Sequence, residues 1–74
     1  MGGKASTLAN RIREARKAAG LSQVALADAV GASRQTVIAV EAQRYAPSLE
    51  LAFRIAHVLG TRVDELFEFS GEWG

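Results

Sequence analysis

The chain has 74 residues, no cysteine, 49% hydrophobic and 23% charged residues, which predicts one small domain burying about 60% of its unfolded surface without disulfides or a thiolate metal site. It contains no run of about 18 apolar residues and does not open on an apolar secretory stretch, so the sequence predicts neither a membrane span nor export. The formal net charge of +1 hides an asymmetry, because residues 1–62 carry all nine Lys and Arg against four acids while residues 63–74 carry four acids and no base. A phosphate-facing body with an acidic tail held away from it fits this split, and so does an ordinary solvated surface.

Residues 1–6 read as a flexible arm. Gly2 to Ser6 matches the loose N-myristoylation pattern, which unconstrained sequence also meets by chance. Residues 7–67 read as the folded domain and residues 68–74 as a tail. Thr7 to Ala19 predicts a first helix, with Leu8, Ile12, Ala15 and Ala19 forming an apolar stripe and Gly20 as its stop. Its bases Arg11, Arg13 and Lys17 fall off the stripe, toward solvent or phosphate. Gln23 to Val30 predicts a second helix, capped by Ser22 and ended by Gly31. Arg34 to Ala42 predicts a third, capped by Ser33. Each is too short to persist without tertiary packing. Pro47 and the Ser48 cap introduce a fourth helix from Leu49 to Leu59, closed by Gly60. Val63 to Phe67 predicts a fifth, with Asp64 and Glu65 at the positive end of its dipole. The expected fold class is all-α: five compact helices followed by a short extended tail.

The stretch LSQVALADAVGASRQTVIAVE, Leu21 to Glu41, places two short helices on either side of a Gly-Ala-Ser turn. Leu21, Leu26, Ala27 and Val30 can meet Ala32, Val37 and Val40 in one core, which is the pattern of a helix-turn-helix. At 100° per residue, Val37 and Val40 share one side of the third helix and Arg34, Gln35, Ile38, Ala39 and Ala42 the other. Gln35 suits the N6 and N7 edge of adenine, Arg34 a guanine edge or a phosphate, and the Ser33 and Thr36 hydroxyls a phosphate or base. Ile38 either packs on a thymine methyl or widens the core stripe. Gln23, at the start of the second helix, and Arg44, after the third, suit backbone phosphates. Tyr45 has two readings, a phosphate contact through its hydroxyl or packing under the loop.

An enzyme is not predicted: the lone His57 falls on the outer face of the fourth helix, and the carboxylates lack metal-ligand spacing. No cofactor is expected. Leu66, Phe67, Phe69 and Trp73 make a dense apolar set for a terminal segment. With Glu68 and Ser70 alternating, Phe67 to Ser70 fits a strand or extended segment added across a two-fold axis, and alternatively a fold-back of Phe69 and Trp73 onto helix one or four.

Together the segments RIREARKAAGLSQ, LADAVGASRQTV, YAPSLELAFRIAHVLG and VDELF resemble the Xre family, the Cro- and phage-repressor-type helix-turn-helix regulators, over about Ile12 to Phe67. The resemblance implies a cytoplasmic, nucleoid-associated regulator of transcription, bacterial or phage-like in type, usually a repressor, bound to double-stranded DNA as a homodimer on a two-fold operator. It carries the helix-two phosphate glutamine onto Gln23, the base-reading positions onto Ser33, Arg34, Gln35 and Ile38, and the basic phosphate contact onto Arg44. It also implies an ion pair between Arg16 and Glu41, which would neutralise two charges on or beside apolar stripes. Three positions depart from the family pattern. Glu41-Ala42-Gln43-Arg44 stands where Glu-Asn-Gly-Lys/Arg is frequent, so the turn must form without glycine. Val24 and Ala25 replace common acids, and Ile38 replaces a usual polar residue. A restriction–modification controller is a close variant of this reading. A different class is an antitoxin-like protein that binds a partner protein through its tail.

Overall fold

The computed structural model of the chain describes residues 8–44 and 46–69. The expectations for the arm, Thr7, Tyr45, Trp73 and the rest of the tail beyond Phe69 lie outside these residues. In chain order the elements are β1 (Leu8–Asn10), α1 (Ile12–Ala18), α2 (Gln23–Val30), α3 (Arg34–Glu41), α4 (Leu49–Leu59), α5 (Val63–Leu66) and β2 (Phe67–Phe69). The fold is mostly helical, with the five expected helices, but it is not purely α. β1 and β2 pair antiparallel, Leu8 opposite Phe69 and Asn10 opposite Phe67.

That sheet corrects the first helix, which starts at Ile12 rather than Thr7. Leu8 still packs against the core, so the apolar position was correctly recognised while its backbone was not. A single apolar residue one turn ahead of a helix serves a strand equally well, and only the arrival of Phe67–Phe69 decides between them. Phe67–Phe69 is thus extended, as the two-fold-strand alternative had it, and the partner seen here is β1 of the same chain.

Ile12, Leu26, Val30, Val37, Val40, Ile55 and Leu66 are almost wholly buried and form the centre, with Ala27, Ala52, Ala56 and Phe67 filling between them. Leu21 and Ala32 are only partly buried, and Ala19 is exposed. α2 packs on both α3 and α4, while α4 also meets α1 and α5. Ser22, Ser33 and Ser48 each accept a hydrogen bond from the amide three residues on, at 3.0, 3.0 and 3.1 Å. These bonds satisfy amides that would otherwise be orphaned at the starts of α2, α3 and α4.

α1 to α4 all end alike. In each, the amide after a left-handed residue returns to the carbonyl five positions back, as Ala32 does to Ala27 at 2.9 Å and Arg44 does to Ala39 at 2.9 Å. The left-handed residue is glycine after α1, α2 and α4, but it is Gln43, at φ 62°, after α3. This is the turn that lacked the expected glycine, and it takes the glycine geometry regardless.

Candidate nucleic-acid interface

The α2–turn–α3 unit is fixed from both sides of its turn. Gly31 sits at φ 74°, and a Cβ there would also stand 3.3 Å from the Arg54 guanidinium. Arg54 donates to the Val30 carbonyl at 3.3 Å, which helps cap α2, and pairs with Glu50 at 2.6 Å. On the far side Ser33 Oγ accepts from the Thr36 amide and shares a 2.9 Å hydrogen bond with the Thr36 hydroxyl. The first turn of α3 is therefore held by its own side chains.

Val37 and Val40 anchor α3 in the core, and this rotation leaves Arg34 and Gln35 exposed at its start. Ala42 is exposed as well, whereas Thr36, Ile38 and Ala39 are half-buried. Ile38 lines an open cleft with Gln23, Arg13, Arg16, Lys17 and Glu41. It thus lies between the two alternatives, touching the cleft wall and still reachable from outside. Arg13 and Lys17 are exposed at this cleft.

The inner end of the cleft is an ion-pair network. Arg16 Nε donates to Glu41 Oε2 at 2.7 Å and Nη2 to Glu41 Oε1 at 3.2 Å, while Nη1 donates to the Leu21 carbonyl at 3.0 Å. Both side chains are about nine-tenths buried, at 10% and 7% exposure. Gln23 Nε2 donates to Glu41 Oε1 at 3.2 Å. The hydrogen bond that Arg16 donates to Glu41 raises the Arg16 pKa above its ordinary value, with burial opposing this and the carboxylate charge adding to it. Arg16 accordingly remains charged across the whole neutral range. Among the described residues every buried side-chain nitrogen and oxygen has a partner, so the cost of burying these charges is offset by a complete set of bonds.

Gln23, for which the sequence predicts a phosphate contact, is therefore tethered to α3 at this cleft. Arg44 stands exposed one residue past the left-handed Gln43. The end of α3 has a further anchor absent from the sequence reading. Asn10 Nδ2 donates to the Val40 carbonyl at 2.8 Å, and its Oδ1 accepts from the Ile12 amide at 3.1 Å. An Asn two residues ahead of an apolar helix start is a capping signal, but nothing in the sequence points its amide across 30 residues to α3. The Arg54 cap on Val30 was missed for the same reason.

The tail residues part company. Leu66 and Phe67 are 2% and 8% exposed within the single chain, so they have almost no surface to offer a second one, whereas Phe69 is 38% exposed. Among the described residues no group of His, Cys, Asp and Glu side chains gathers to hold a metal ion, and no helix is long and apolar enough to cross a membrane.

A helix-turn-helix family model matches residues 12–66, from the start of α1 to the end of α5. An uncharacterized HTH-type transcriptional regulator of Archaeoglobus fulgidus is 46% identical over 66 residues, spanning 86% of this chain and 94% of that protein. Another, from Methanothermobacter thermautotrophicus, is 54% identical over 57 residues, spanning 76% of this chain and 83% of that one. Among solved structures, the restriction-modification controller protein C.AhdI from Aeromonas hydrophila matches with a TM-score of 0.71 at 39% identity, over 76% of this chain and 85% of that chain. With α2 and α3 in the arrangement described above, the chain belongs to the Xre/Cro-type helix-turn-helix family of DNA-binding transcriptional regulators.

Proposed function

We propose that the protein represses transcription by binding a two-fold operator as a homodimer, α3 of each copy entering the major groove. The observation that carries this reading is the presentation of Arg34 and Gln35. They are exposed on the first turn of a helix whose start is locked by Ser33 and whose back is locked by Val37 and Val40. In this reading Arg34, Gln35 and Ile38 meet base edges, while Gln23, Ser33, Thr36 and Arg44 hold the sugar–phosphate backbone and set the register. The Arg16–Glu41 pair holds Gln23 and α3 in a common frame. Two copies are needed because half-sites about 34 Å apart require two recognition helices.

The similarity to a restriction-modification controller protein supports a second reading of the same mechanism, with the operator lying before restriction–modification genes. The antitoxin-like alternative places a partner protein on the tail, residues 68–74, of which Glu68 and Phe69 are described and both are exposed.

Selection of bound sequences from a random duplex pool, with stoichiometry read at two salt concentrations, tests the proposal. A two-fold-related motif occupied by two chains is the expected result. Failure to enrich any sequence over random DNA would overturn it.

A further inference from the structure

Asn10 stands where four elements meet. Its backbone lies in β1 opposite Phe67 of β2, and the next amide, that of Arg11, donates to the Leu66 carbonyl at 2.9 Å. Its side chain serves two helices. Oδ1 accepts from the Ile12 amide two residues on, an Asx turn that opens α1, while Nδ2 crosses to the Val40 carbonyl of α3 at 2.8 Å. That carbonyl also accepts from the Gln43 amide at 3.0 Å, so both of its lone pairs are used. The bond from Gln43 closes the turn in which Gln43 itself is left-handed, at φ 62°. A residue other than glycine persists in that geometry where the structure around it holds it there, and the Asn10 amide is bonded to a carbonyl on which the turn closes.

We propose that Asn10 is a positioning residue for DNA binding, acting through this turn on Arg44. This rests on the reading of Arg44 as a phosphate contact and names what aims it. Arg44 is exposed and follows Gln43 directly, and its own amide returns to the Ala39 carbonyl at 2.9 Å, so the turn sets the direction in which its side chain leaves the backbone. A long exposed side chain on a preset backbone loses less freedom when it meets a phosphate, which leaves more of the contact as affinity. The Asn10 bond spans 30 residues of sequence, and pairing with β2 holds Asn10 in its turn. The small sheet of β1 and β2 thereby becomes part of the DNA-binding apparatus, although none of its residues is placed against DNA.

Asn10→Ser separates the two bonds, because a serine hydroxyl still accepts from the Ile12 amide but is too short to reach Val40. Amide exchange, and binding to a random-sequence duplex over a range of salt, both read well below the melting temperature of every variant, test the proposal. Exchange at Gln43 and Arg44 should rise at least about ten-fold in Asn10→Ser, while that at Ala32, which makes the same kind of bond after α2, stays as in the wild type. Binding should weaken about three-fold or more. Arg44→Ala should lower the salt slope by about one ion in the wild type, and by less than about half of that in Asn10→Ser. Ile55→Val, which lowers stability from the core of α4, should leave binding and the exchange of Gln43 and Arg44 relative to Ala32 unchanged. Unaltered exchange in Asn10→Ser, a full response to Arg44→Ala in that background, or equal weakening in Ile55→Val overturns the role of Asn10 and leaves the Arg44 contact standing. An Arg44→Ala protein with the wild-type slope overturns the Arg44 contact and the role of Asn10 with it. If Asn10→Ser does not fold, Asn10→Asp takes its place in the same measurements, since a carboxylate keeps the Ile12 bond and cannot donate to Val40. Its added charge cancels when slopes with and without Arg44→Ala are compared in one background.

Discussion

The two ends of α3 are held by opposite means. At the first, the bonds made by α3 itself come from within a few residues: Gly31 turns the chain, Ser33 caps the helix, and Thr36 holds the Ser33 hydroxyl, with Arg54 reaching only the Val30 carbonyl before the turn. At the second, the bonds come from far along the sequence, with Arg16 on Glu41 and Asn10 on the Val40 carbonyl. Gln43 is drawn there into a backbone geometry that glycine adopts at no steric cost. The contrast shows how a short helix can be both rigid and accessible. Local chemistry fixes the end proposed to read DNA and leaves Arg34 and Gln35 uncovered, while tertiary bonds clamp the opposite end.

Removing the clamp should have the largest effect. Glu41→Leu strands a buried guanidinium and frees Gln23, and should cost about 3–5 kcal/mol in urea unfolding. Adding Arg16→Met to it should recover most of that loss, and a double variant as unstable as the single one would mean that the pair is not the clamp. At the reading end, Gln35→Ala should leave stability unchanged and weaken specific binding by about 1–3 kcal/mol, with discrimination relaxed at one base pair. Equal losses on operator and random duplexes would argue against base reading. Gly31→Ala should cost about 1–2 kcal/mol, since the new methyl meets a left-handed backbone and the Arg54 guanidinium together. Its counterpart across α3, Gln43→Gly, should instead stabilise by about 0.5–1 kcal/mol, a rise of roughly 3–6 °C in Tm. A lower Tm would show that the glutamine side chain outweighs the backbone strain. Arg44→Ala should barely move stability, weaken binding on all sequences alike and reduce the salt slope by about one ion. An unchanged slope would exclude Arg44 from the phosphate contacts.

Much of this was legible in the order of residues. The bounds of α2 and α4, the three serine caps and the burial of Val37 and Val40 follow from rules that act over a single turn, and they agree with the structure. Arg16 and Glu41 were expected to pair from family resemblance, since their spacing alone gives no hint that they meet, and the 2.7 Å bond joins them.

The sequence by itself determined α2 to α4, their serine caps and which residues begin α3, because side-chain hydrogen bonds to nearby amides and the 3.6-residue period are local forces. Only the tertiary structure decided that Leu8–Asn10 is a strand, that Phe67 is buried and that Asn10 holds the end of α3. Each of these depends on bringing together segments 30 to 60 residues apart, whose contact energy has no counterpart in the residues' immediate neighbours.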